Sequence, residues 1–128
     1  NELKEVVKRL QKGYRLHAVD YLGLEQEETE VPGATTISDN TDFSEKYLDQ
    51  IGNILKLLKD IKLPIEPHPY TLEEALKLLK RGNSTIIDAL EEGIVLFQNK
   101  DYILLKEAYR HLKEKGLKRT RTSIKLPN

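Results

Sequence analysis

The chain has 128 residues, 38% hydrophobic and 33% charged, with 21 basic residues balanced by 21 acidic ones. That length and balance fit one soluble domain with one modest core rather than a disordered chain. No run of 18 uncharged apolar residues is present, so no membrane span is expected. The absence of cysteine removes disulfides and thiolate zinc sites.

Residues 1–5, Asn-Glu-Leu-Lys-Glu, lack the basic and apolar regions of a leader, so the expected location is cytoplasmic. No Cys or Met, with abundant Lys, Glu, Ile and Leu, suits a thermophile. The zero net charge hides an asymmetry. Residues 20–45 carry eight acids and no Lys or Arg, whereas residues 113–128 carry six bases and one acid. Such runs are ordinarily solvated faces, and they also suit self-association or partner binding.

Leu3, Val6, Val7 and Leu10 recur at helical spacing, which predicts a helix over 2–12 with Gly13 as its C-cap. Residues 14–24 read as a strand ended by Gly23. Residues 25–30 are too polar and too like-charged for a core. Val31-Pro32-Gly33 is a turn signal, and residues 34–37 form a short β-branched strand. Asp42 with Glu45 suits the start of a helix, expected to be the longest. Its apolar stripe is Phe43, Tyr47, Ile51, Ile54, Leu55 and Leu58.

Residues 63–68 read as a strand. Pro64, Pro67 and Pro69 lack ladder donors, which places it at a sheet edge. Thr71 with Glu74 is a capping box, and Leu72, Ala75, Leu76 and Leu79 mark the buried face of the helix that follows. Gly82 stops that helix. A second starts at Asn83 or Ser84 and reaches Glu91, and Gly93 leads into the apolar segment 94–97. Asp101 opens a last helix with Ile103, Leu105, Ala108, Tyr109 and Leu112 facing inward and Tyr102 also at core-like spacing. Gly116 closes it. Residues 1–116 thus read as one domain and 117–128 as a basic tail. The expected fold is α/β (α+β): a small mixed sheet with helices packed on one face.

Two stretches carry a resemblance. The first is Glu66-Pro67-His68-Pro69-Tyr70-Thr71, and the second is Asp88-Ala89-Leu90-Glu91-Glu92-Gly93-Ile94-Val95-Leu96-Phe97. Together they resemble the C-terminal half of the small archaeal (minimal) nucleotidyltransferase domains, over residues 37–127. The resemblance implies a nucleotidyltransferase-like sheet. In that family a Gly-Ser turn cradles the triphosphate, an Asp-x-Asp pair binds two Mg²⁺ ions, and a third acid completes the clamp.

Alignment on Ile37-Ser38-Asp39-Asn40 puts the Gly-Ser turn near Gly23-Leu24-Glu25 and the Asp-x-Asp on Val31-Pro32-Gly33. Gly23 keeps the cofactor-side glycine, but a carboxylate follows, and an anion in a phosphate cradle repels its ligand. Glu66 falls on the third carboxylate's strand. The expected function is therefore a catalytically inactive binding or assembly module with no cofactor. Its expected partner is a second copy or a helical protein.

One alternative is an active Mg-dependent, ATP-using nucleotidyltransferase with displaced metal acids Glu28, Glu30 and Glu66; Glu28 and Glu30 share a face if extended. Glu66 and His68 also share a strand face and form the sharpest acid–base pair in the chain. His17 and His111 show no ligand spacing. A further alternative is nucleic-acid association through Lys118-Arg119-Thr120-Arg121, although no aromatic platform accompanies it.

Overall fold

The computed structural model describes residues 2–22, 31–39, 47–120 and 123–127. The elements in order are α1 (Glu2–Gly13), β1 (Arg15–Leu22), β2 (Gly33–Asp39), α2 (Tyr47–Leu57), β3 (Glu66–Thr71) and α3 (Leu72–Lys80). There follow α4 (Ser84–Glu92), β4 (Ile94–Gln98), α5 (Tyr102–Glu114), β5 (Lys118–Arg119) and β6 (Ile124–Lys125). The first four strands form a mixed sheet in the order β3-β2-β1-β4, with β5 and β6 as a separate small hairpin. β1 pairs antiparallel with both β2 and β4, and β2 pairs parallel with β3. Among the described residues no helix is long and apolar enough to cross a membrane.

The helices cover both faces of the sheet, not one. Ala18, Ile37 and Tyr70 pack with Ala75, Leu79, Ile86, Ile87, Tyr102 and Leu105, so α3, α4 and α5 lie on one side. Leu16 and Val19 pack with Val6, Leu10, Ile54 and Leu58, so α1 and α2 lie on the other. The cause is in β1, which is buried at five successive positions. A strand buried on both faces needs helices on both.

Several expected boundaries shift. Gly13 is the last residue of α1 and not a left-handed cap; only Gly82 and Gly116 have positive φ among the described residues. A Cβ on Gly13 would stand 2.9 Å from Leu57 Cδ1, so its use is the close approach of α1 to the end of α2. The strand expected over 63–68 is β3, three residues later. The Glu66 N–H donates to the Pro32 carbonyl at 2.8 Å. By the period of two, His68 and Tyr70 face β2 likewise, while Pro67 and Pro69 turn their missing donors to the open edge. Residues 94–97 become the opposite edge strand, β4.

The apolar stripe expected on α2 is only partly used. Ile54 and Leu58 are buried along with Gln50, while Tyr47 and Leu55 are exposed. The inward set is therefore Gln50, Ile54 and Leu58, at i, i+4 and i+8. Of the described helices α5 is the longest, at 13 residues against 11 for α2; Phe43 and the Asp42–Glu45 cap lie outside the described residues. On α5, Ile103 points to solvent, and Tyr102, Leu105 and Tyr109 face the core.

The capping box at α3 forms as read. The Glu74 N–H donates to Thr71 Oγ1 at 3.0 Å, and the Thr71 N–H donates to Glu74 Oε1 at 2.9 Å. Residues 117–127 are partly built into the fold. Leu117 joins the core, and Ile124 and Leu126 sit over Gly82, where a Cβ would meet Leu126 at 3.1 Å.

Candidate functional site

Strand pairing fixes what shares the sheet face beneath α3, α4 and α5. Tyr70, Ile37 and Ala18 form one cross-strand row, and all three lie in the same core. Two residues along each strand the row is His68, Thr35, Asp20 and Val95. The last row, at the rim, is Glu66, Gly33 and Leu22. Polar character thus rises toward the rim, at the end where β2 and β3 begin.

At the rim, Glu66 and His68 come together as the spacing implies: His68 Nε2 lies 3.9 Å from Glu66 Oε2. That is ion-pair range, not a hydrogen bond. Glu66 is largely exposed, and His68 is about one-quarter exposed. The imidazole leans over Gly33. A Cβ built on Gly33 would stand 3.2 Å from His68 Cδ2 and 3.4 Å from Nε2. The ring thus takes the volume that a side chain at position 33 would need. Beside them Tyr47 and Tyr70 stack with ring centroids 5.8 Å apart. Burial, then the hydrogen bond to Tyr70, pushes the Tyr47 hydroxyl upward.

Asp20, unremarked as a site residue in the sequence, sits in the middle row and is almost fully buried. The Tyr102 hydroxyl donates to its Oδ2, and Oδ1 has no partner among the described residues. Burial pushes the Asp20 carboxyl up, against the opposing pull of the Tyr102 hydrogen bond and the Lys106 charge. Strands stand ~4.8 Å apart, so the backbones of Asp20 and His68, two strands apart, are roughly 9–10 Å from each other. Thr35 stands between them.

Among the described residues, this rim does not supply a magnesium clamp. Positions 31 and 33 carry Val and Gly, and among the described residues Glu66 is the carboxylate on that edge. No group of three or more His, Cys, Asp or Glu able to hold a metal occurs among the described residues. Gly23, Glu28 and Glu30 lie outside the described residues.

A second polar cluster lies at the other end of β1. The β1–β2 register shifts between Leu16 and Ala18, making His17 the extra residue of a bulge. His17 Nε2 lies 2.7 Å from Asp39 Oδ1, so that nitrogen donates to the carboxylate. Nδ1 faces Asn99 Nδ2 at 3.0 Å and Asp101 Oδ2 at 3.4 Å. The Asn99 N–H also donates to the His17 carbonyl at 2.8 Å. With both ring nitrogens engaged and the residue 7% exposed, His17 braces the start of β1, the end of β2 and the start of α5. Nothing in linear spacing points to it, since Asn99 is 82 residues away and the bulge depends on the partner strand.

No protein-family model, curated protein or solved structure matches the chain.

The basic C-terminal stretch is partly consumed internally. Arg119 pairs with Asp88 at 2.6 Å, Glu91 at 2.8 Å and Glu92 at 3.1 Å. The Tyr109 hydroxyl also donates to Glu91. That hydrogen bond first, and Arg119 next, hold the Glu91 carboxyl below its usual range, while burial leaves Asp88 above it. Asp88, Glu91 and Glu92 thus receive the hairpin arginine, and Arg119 is already committed to three carboxylates.

Proposed function

We propose that this chain is a nucleotidyltransferase-like scaffold that lacks metal-dependent transfer and works as a binding or assembly module. The observation that carries this reading is at Gly33. The resemblance assigns the second metal-binding acid to position 33 and the third to position 66. Gly33 and Glu66 are cross-strand partners in the parallel β2–β3 pair, the juxtaposition a shared metal would require. The β2–β3 register supports the position at which the resemblance puts the centre. At that point the side chain is absent and the His68 ring stands over the space. One carboxylate with a neighbouring imidazole cannot clamp two magnesium ions, because each ion needs several oxygen ligands in near-octahedral order.

Titration calorimetry on the purified chain tests this directly. The expected result is no magnesium-dependent ATP binding up to a Kd of about 1 mM, the edge of measurable affinity. Tight binding that disappears with EDTA overturns it. The active alternative depends on Glu28 and Glu30 supplying the missing ligands beside Glu66. Under that reading, transfer of label from radioactive ATP to a protein or small molecule should vanish when all three are changed to Gln.

A further inference from the structure

The outward face of α2 carries a feature that the fold itself does not use. Gly52 is in the middle of this helix, and glycine is the poorest helix former after proline. Elsewhere in the molecule glycines have visible work: Gly13 lets Leu57 approach, Gly33 lies under His68, and Gly82 and Gly116 take positive φ. Gly52 has neither reason. Its φ is not positive, and among the described residues a Cβ built on it meets nothing within 4 Å. At 3.6 residues per turn, position 52 lies about 180° from the inward line of Gln50 and Ile54. It therefore marks the centre of the solvent side.

The residues around it form a patterned surface. On one flank are Leu48, 79% exposed, and Leu55, 47% exposed. On the other flank, one turn before and one turn after Gly52, are exposed Asp49 and Lys56. This arrangement is self-complementary about Gly52 in one orientation. When a second α2 is laid against the first in antiparallel, two-fold fashion, Leu48 meets the other copy's Leu55. Asp49 likewise meets the other copy's Lys56, and each contact occurs twice. The two glycines stand at the crossing, where a missing side chain lets helix backbones approach. A two-fold parallel arrangement would instead set the leucine flank of one helix against the charged flank of the other. Both leucines and both charges would then lack complementary partners, so the pattern selects the antiparallel one.

We infer that the α2 face is the contact between two copies of this chain, docked antiparallel through Leu48, Asp49, Gly52, Leu55 and Lys56. This goes beyond the functional reading above and does not depend on it, since no residue of the sheet rim takes part. A single helix pair is a small interface, so the dimer should be weak and concentration-dependent.

The test is sedimentation velocity on the full chain from about 5 to 500 µM, a range suited to small interfaces. A shift from monomer to dimer across that range is expected. Gly52→Gln should weaken the dimer at least about tenfold while the melting temperature holds or rises, because Gln has room there and is a better helix former. Asp49→Lys should weaken it similarly, and adding Lys56→Asp should restore affinity to within about threefold, since the charge pair is then re-formed in reverse. Melting curves on every variant separate a lost contact from a lost fold. A monomer at all concentrations overturns the inference. So does a dimer indifferent to both Gly52→Gln and Asp49→Lys, or a double swap that restores nothing.

Discussion

Asp20 is tied into the core by the Tyr102 hydroxyl, and among the described residues its second oxygen is unpaired. A buried carboxyl in that position makes stability depend on pH, and the sign follows from proton linkage. Its folded-state pKa lies above the unfolded value of about 3.9, so the folded protein holds that proton more tightly. The group therefore lowers stability as pH rises through the window above ~3.9 and does nothing below it. Asp20→Asn cannot ionise, so its stability relative to the parent should improve as pH rises above about 4 and level off once the folded carboxyl has ionised, as read in urea melts. A constant difference across that range would mean the carboxyl does not titrate differently in the fold. Tyr102→Phe removes the one donor on Asp20 and should cost about 2 kcal/mol, the usual penalty for stranding a buried charged acceptor. Its loss should be larger at neutral than at acid pH.

The capping box before α3 is the clearest element-scale prediction. Thr71→Ala removes the acceptor for the Glu74 N–H and should destabilise the protein by about 1 kcal/mol in denaturant unfolding. That box was legible in the sequence because both partners are three residues apart and the geometry is local. The helices α1, α3, α4 and α5 were legible for the same reason: apolar period and glycine punctuation. The failures were non-local. β3 begins at Glu66 because Pro67 and Pro69 must face an open edge, and that depends on where β2 lies. Gln50 is buried on α2 while Leu55 is not, which no apolar pattern reveals. The Glu66–His68 proximity was readable from a two-residue spacing. Asp20, Asn99 and the His17 brace were not, since each joins residues far apart in the chain.

Across the whole molecule, β1 decides the layering. Its bulge at His17 lets Leu16 pack among α1 and α2 while Ala18 packs among α3, α4 and α5. A plain strand would have sent both to one side. The same sheet carries the polar rim of Glu66 and His68, and none of the α2 residues assigned to self-association belongs to it. A ligand at the rim and a partner on the outward side of α2 would therefore not compete for the same residues.

The two margins of that sheet have a consequence under stress. One is lined by Pro67 and Pro69; the other, β4, is five residues long and irregular between Phe97 and Val95. Proline, brevity and a bulge are each poor templates for adding further backbone. Concentrated or warmed samples should precipitate without growing amyloid fibrils, and thioflavin T should stay dark. Replacing both prolines with valine should make the dye respond.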